Sequence, residues 1–227
     1  MSTSDPASFR CDFDIAARGW DHDAWCGPFF PPDLPRDWRL AFYANHFRSV
    51  LVPGRQLLRA ESADLARWYE DTHEQFRFFL EISVRLVARF RSPGAAGLLK
   101  WLAPLSDRIA GLLLLGFCRR CDQTLSPWRA ALQGRFPVHT LRPPQPAMPL
   151  AGPAAAGLCP CWQQEPAVGR LGLVWHAPSD LPTLRRQIEA FMAHAAQAER
   201  ATLCFAGVPP PLEGMEQARI LVELLGG

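Results

Sequence analysis

The sequence predicts an α/β fold of the (β/α)8 TIM-like type, and three observations predict it. Strand-like and helix-like segments alternate along the chain, and eight short apolar runs read as strands. One of them, Gly111–Phe117, is continuously apolar, as expected for a parallel strand covered on both faces. A length of 227 residues suits one such barrel. The expected organisation is an N-terminal tail over 1–10 and one domain over 11–227.

Taken in order, Phe13–Ala17 reads as a first strand, followed by a loop over Gly19–Pro32. Pro35 opens a helix that runs to about His46, because proline is tolerated in a first turn. Ser49–Val52 is a short apolar strand stopped by Pro53-Gly54. Ser62 and Asp64 open a helix with Leu65, Trp68 and Tyr69 on one side. Phe76–Val84 is rich in aromatic and β-branched residues and reads as a third strand. Ala95–Leu105 has a helical pattern that Pro104 ends or kinks. Gly111–Phe117 is the fourth strand.

The second half is less regular. Ser126-Pro127 precedes a short helix to about Gln133, and Phe136–Leu141 is a fifth strand. The following RPPQPAMPLAGPAAAG is too rich in proline for a helix, so the fold is expected to be irregular across about 142–156. Leu158–Trp162 and Leu171–His176 read as the sixth and seventh strands and Thr202–Phe205 as the eighth. Leu184–Glu199 and Met215–Leu225 are the last two helices.

Composition excludes several classes. The hydrophobic fraction of 48% argues against disorder. Net charge is +2, it rests on arginine because Lys100 is the only lysine, and no basic run signals nucleic-acid binding. The longest aliphatic run, Leu112–Leu115, is too short for a bilayer span. MSTSDPASFR lacks the charged start and apolar run of a signal peptide. With 7 cysteines, an odd number, reduced thiols in the cytoplasm are the expectation. Phosphate-loop, dinucleotide, HExxH and GxSxG motifs are absent from the sequence.

The stretch RGWDHDAWCGPFFPPDLPRDWRLAFYANHF, from Arg18 to Phe47, carries a more specific signal. It resembles the opening of the YecE-like barrel family of bacteria, which reads roughly Gly-Thr-Ser-Gly-Trp-Ser-Tyr-x-x-Trp-x-Gly-x-Phe-Tyr-Pro. Gly19, Trp20, Trp25, Gly27, Phe29 and Pro31 fill the matching places. The closing segment ATLCFAGVPPPLEGMEQARILVELL resembles the family's last strand and helix. The resemblance implies the barrel fold. It assigns no reaction, since the activity of that family is itself unassigned.

Function in such a barrel sits at the C-terminal ends of the strands. Set against the family pattern there, Leu51 replaces an acid and Pro53 an amide on the second strand. Glu81 replaces a lysine on the third, Val174 an arginine on the seventh, and Ala206 an asparagine on the eighth. Gly116, Phe117, Cys118 and Arg119 replace Gln-Leu-Pro-Pro, and Val138, His139 and Thr140 are the nearest match to Glu-Phe-Arg-His. His176 is retained. General acid–base work needs ionisable groups within hydrogen-bond reach of a substrate, and Leu51, Val174 and Ala206 supply none.

Two groups of residues keep chemical potential. His22, flanked by Asp21 and Asp23, follows the first strand, and His176 ends the seventh. In a closed barrel both approach one mouth, where Trp20, Trp25, Trp162 and Trp175 either line a ligand pocket or plug it. Cys118 and Cys121 form CRRC, and Cys159 and Cys161 form CPC. Four thiolates on alternate strands would suit tetrahedral zinc; the alternative is a set of small buried hydrophobes. Zinc is the one cofactor considered, and none is otherwise expected.

The leading expectation is a diverged barrel without the ancestral site, acting by binding a protein or small-molecule partner. The runner-up is a hydrolase, metal-dependent or not, acting on a phosphoester-type substrate through His22, Asp23 and His176. The third is a cysteine-ligated metal or redox protein.

Overall fold

The strands alternate in side-chain direction with period two, and that alternation sets two packed layers. In the computed structural model the described residues are 11–92, 94–115, 119–141, 158–159, 171–174, 178, 180–196 and 198–226. The strands are β1 (Asp12–Arg18), β2 (Ser49–Val52), β3 (Arg77–Ile82), β4 (Ile109–Leu115), β5 (Val138–Leu141), β6 (Leu158–Cys159), β7 (Leu171–Val174) and β8 (Arg200–Phe205). They form one sheet in the order β5-β4-β3-β2-β1-β8-β7-β6. Seven run parallel, and β6 lies antiparallel against β7 through Leu158 and Cys159 alone.

The closed (β/α)8 barrel is therefore corrected to an open, curled half-barrel. Closure needs a parallel sixth strand joined to β5, whereas β6 is two residues long and of the wrong sense. The irregular segment expected over 142–156 lies outside the described residues.

Between the strands run α1 (Arg39–Ala44), α2 (Gly54–Arg59), α3 (Ser62–Glu70), α4 (Val84–Arg89), α5 (Ala95–Leu102), α6 (Arg119–Gln133), α7 (Leu181–Ala195) and α8 (Leu212–Leu224). Helix α2 departs from the sequence reading, which stops at Pro53-Gly54. Pro53 stands at the N-cap position instead, and Leu57 buries fully, so a turn signal becomes a helix start. Helix α6 departs too. It begins at Arg119 rather than after Ser126 and carries Pro127 inside it. Leu125 and Leu132, both buried, and the partly buried Trp128 anchor one face on either side of that proline. This packing offsets the hydrogen bond that proline cannot donate.

The main core lies between sheet and helices. Ile15, Val50, Phe78, Leu80, Leu112, Leu203 and Phe205 supply the sheet side. The concave face carries a second, smaller apolar layer of Ala16, Leu51, Phe79, Leu113, Leu171, Leu173 and Cys204. The two sets are alternate residues of the same strands, as period two requires.

One buried hydroxyl joins helix to sheet. Tyr43 on α1 is fully buried; its hydroxyl donates to the Ser49 carbonyl at 2.9 Å and accepts the Ala17 N–H at 2.9 Å. The Ala17 and Ser49 backbones belong to neighbouring strands, so the phenol fills an opening in the β1–β2 ladder. Tyr43→Phe leaves a buried N–H and carbonyl without that partner. We expect it to cost about 1–3 kcal/mol, read as a lower urea midpoint with an unchanged slope.

Candidate functional site

At the C-terminal end of β1 the concave face reaches Arg18, and at the corresponding level of β3 it reaches Glu81. The two meet across β2. Arg18 Nε donates to Glu81 Oε1 at 2.5 Å, and Nη2 donates to Oε2 at 2.8 Å. The Gly54 N–H, at the start of α2, donates to the same Oε2 at 2.8 Å. A Cβ at Gly54 would stand 3.3 Å from the Glu81 carbonyl oxygen, a tight contact that a larger residue could enter only by a shift of a few tenths of an ångström. The Glu81 side chain is 2% exposed and that of Arg18 18%. Burial works against the Arg18 charge, but the hydrogen bonds and charge of Glu81 outweigh it and hold the guanidinium above its ordinary value.

Gly19 turns the chain after β1 with φ +81°, a conformation that favours glycine, and its N–H donates to the Leu51 carbonyl at 2.8 Å. The turn returns His22 over the strand end. The His22 ring is buried, its Nε2 lies 3.0 Å from the Arg18 carbonyl, and its centroid is 4.6 Å from that of Trp25. Burial lowers its pKa, Arg55 adds to the effect, and the backbone bonds only partly oppose it. Neutral imidazole is therefore favoured, with Nε2–H donating to the carbonyl.

The flanking carboxylates turn away from His22 toward arginines. Asp23 is exposed and accepts from Arg36 Nη2 at 2.5 Å and from Arg39 Nη1 at 3.1 Å. Asp21 accepts from Arg36 at 3.2 Å and also from Arg39. The sequence reading groups His22, Asp23 and His176 as hydrolase candidates; the Asp23 carboxylate pairs with Arg36 and Arg39. Trp20 and Trp25 are buried and packed against aromatic neighbours. Trp20 packs edge-on against Trp68 of α3, with ring centroids 5.1 Å apart. Trp25 stacks at 7° on Tyr43 and donates its indole N–H to the Pro210 carbonyl at 3.1 Å. Both belong to the layer between sheet and helices.

Of the replaced strand-end residues, Leu51 does face the concave side, whereas Val174 packs in the helix-facing layer. Leu173 is the residue of β7 on the concave face. His176, Trp162, Trp175, Cys118 and Cys161 lie outside the described residues. Cys121 falls in α6 and Cys159 in β6, and their side chains are not among those described. Among the described residues no three His, Cys, Asp or Glu side chains gather as metal ligands. Cys204 is buried on the concave face, and burial, with the Glu81 charge, pushes its thiol up, away from thiolate chemistry.

The Arg18–Glu81 pair is the feature that sequence reasoning missed. Its signal was present: Glu81 is a lone carboxylate inside the apolar run Phe78–Ile82, at an alternate position shared with Phe79. Its partner is 63 residues away.

Two measurements follow from this geometry. Arg18→Leu leaves a buried carboxylate without its cation and should cost about 3–5 kcal/mol. Glu81→Leu should cost less, because Arg18 retains some access to water. The double substitution should cost less than Arg18→Leu alone, and additive losses in chemical denaturation would contradict the pairing. For His22, a lowered folded-state pKa means that its contribution is complete above the ordinary imidazole value of about 6.5. It is lost as pH falls through the lowered folded value, where the native state must charge a buried ring. Stability of His22→Gln should therefore fall less steeply than wild type between about pH 7 and 5.

No curated protein matches the chain. Among solved structures, a DUF72 family protein of Enterococcus faecalis V583 aligns with TM-score 0.64 and 12% identity, covering 96% of this chain and 99% of that one. A DUF72 family protein of Thermotoga maritima MSB8 aligns with TM-score 0.62 and 13% identity, covering 93% and 99%. At such identities the likeness speaks for the fold alone. The sequence profile of the protein family of unknown function DUF72 matches residues 15–138, more than half of the 227. That span holds the Gly19–Pro31 opening, the Tyr43 anchor and both partners of the Arg18–Glu81 pair, and the chain belongs to the DUF72 family, the YecE-like family that its opening resembles.

Proposed function

We propose that this protein works by binding, and that Arg18 is the residue that receives an anionic group of the ligand. The observation that carries the reading is the way in which Glu81 engages the guanidinium. It takes the Nε and Nη2 edge and leaves Nη1 without a partner among the described residues. The end-on Nη1/Nη2 edge is a second fork of the kind that matches a carboxylate or phosphate. Glu81 then acts as a positioning residue that orients the fork at the C-terminal end of β1, where barrel-like folds carry their sites.

Proton-transfer chemistry finds less support among the described groups. Glu81 accepts three hydrogen bonds and is 2% exposed. His22 is committed to a backbone carbonyl, Asp21 and Asp23 to Arg36 and Arg39, and the Cys204 thiol is pushed up. Leu51 on the concave side adds no polar group.

A panel of small carboxylates and phosphomonoesters, screened by thermal shift and confirmed by calorimetry, tests the reading. We expect a saturable ligand whose affinity drops roughly tenfold or more in Arg18→Gln, the loss of one charge-assisted fork. A ligand that binds Arg18→Gln as tightly as wild type would refute the assignment. Turnover of 4-nitrophenyl phosphate, with or without divalent metal, that disappears in both His22→Ala and His176→Ala would replace it with a hydrolase.

A further inference from the structure

The largest cavity described lies at the opposite end of the concave face. It has a volume of about 600 Å³ and opens at the N-terminal ends of the strands. Arg48, Arg77 and Arg200 line it together with Asp12, Gln75 and Thr202, while Phe79, Ile109, Ala110 and Pro137 form an apolar wall. This volume suits a small ligand. Arg77 and Glu81 are four residues apart on β3, so this cavity stands roughly 13 Å from the Arg18 fork along the strand.

The arginines of this cavity differ in how they are engaged. Arg48 Nη2 pairs with Asp12 at 2.7 Å, and its Nε pairs with Asp14 at 2.8 Å. Arg200 Nε donates to Asp14 at 2.9 Å. These two arginines therefore share the two aspartates. Arg77 has no carboxylate partner among the described residues. Its Nη1 donates to the backbone carbonyls of Glu74 at 2.7 Å and Phe76 at 2.9 Å, and Nε and Nη2 have no partner among the described residues. Burial, and then the neighbouring Arg200 and Arg108 guanidiniums, lower its pKa, partly opposed by the Asp107 and Asp14 carboxylates. Arg108 is itself buried and donates to the carbonyls of Tyr69 and Thr72, so it brings positive charge without a carboxylate. The one carboxylate on the rim besides Asp12 is the exposed Glu199.

A guanidinium with a free fork, set in a cavity beside two arginines that are themselves paired with Asp12 and Asp14, can offer Nε and Nη2 to an anion. We propose that this cavity is a second, separate binding site for a phosphate-type oxyanion, either free or as the terminal group of a small phosphomonoester. Arg77 is its principal contact, through Nε and Nη2. Arg200 supports the charge, and the Gln75 amide and Thr202 hydroxyl line the same space. The apolar wall accommodates the body of an ester. The proposal does not rest on the Arg18 reading, because the two sites share no residue.

The test is titration of the full chain with inorganic phosphate and with phenyl phosphate. Binding is followed by calorimetry and by the arginine Nε resonances of 15N-labelled protein. The expected result is a saturable shift at the Arg77 Nε and a Kd at least roughly tenfold weaker in Arg77→Gln. Arg186→Gln, on exposed α7, should bind as wild type. Tighter binding of phenyl phosphate assigns the site to phosphomonoesters; equal or tighter binding of inorganic phosphate assigns it to the free ion. The resonance measurement uses wild-type protein and stands even if Arg77→Gln does not fold. Equal affinity in wild type and a folded Arg77→Gln overturns the proposal. So do shifts confined to the Arg18 Nε, which would leave the C-terminal reading intact, and so does the absence of saturation at millimolar phosphate.

Discussion

The Arg18–Glu81 pair is the constraint on which the upper half of the sheet depends. It closes a bridge over β2 between the ends of β1 and β3, and through the Gly54 N–H it also fixes the start of α2. A buried ion pair of this kind is weak evidence for added stability, since removing two charges from water costs about what their attraction returns. Its effect is better described as specificity of arrangement. Any shift of β3 against β1 would strand a carboxylate in an apolar layer, and that penalty is large. The pair therefore defines the level at which the strands end and the geometry of the mouth above it.

Below this pair the concave face is stratified. Ala16, Leu51, Phe79, Leu113 and Cys204 form an apolar middle layer. Beneath it, Asp12 and Asp14 engage Arg48 and Arg200, with Arg77 beside them. Polar layers at the two ends of an apolar middle are what a curled sheet allows, because only the ends of the strands reach water. The same stratification explains why both candidate ligand sites involve arginines near strand ends. It also explains why Cys204, in the middle layer, is chemically quiet.

The family-like opening has an architectural meaning. Gly19 makes the turn after β1, Trp25 stacks on Tyr43, and Phe29 and Phe30 pack with Phe42 around it. Tyr43 then reaches the β1–β2 ladder. These residues hold the first helix against the first two strands. They are legible in a sequence because they are local and geometrically demanding. Their observed contacts are aromatic packing and backbone geometry.

The parallel strands were legible because each is a short apolar run, and so were α3, α7 and α8, because each is long enough to show a helical stripe. The sequence also placed Glu81 at an unusual position and His22 in the loop after β1. What it did not decide falls under long-range pairing. Helix α2 was hidden by Pro53-Gly54, and α6 ran through Pro127 because Leu125, Trp128 and Leu132 outweigh a single missing donor. Closure of the sheet depended on the sense and length of β6, which no local pattern encodes. The orientation of Trp20, Trp25 and Asp23 depended on partners such as Trp68, Tyr43, Arg36 and Arg39. Local propensity and periodicity, which act over a few residues, determined the elements. Which charges meet was decided only in the tertiary structure, because Arg18 and Glu81 are 63 residues apart and become neighbours only once β1, β2 and β3 share one sheet.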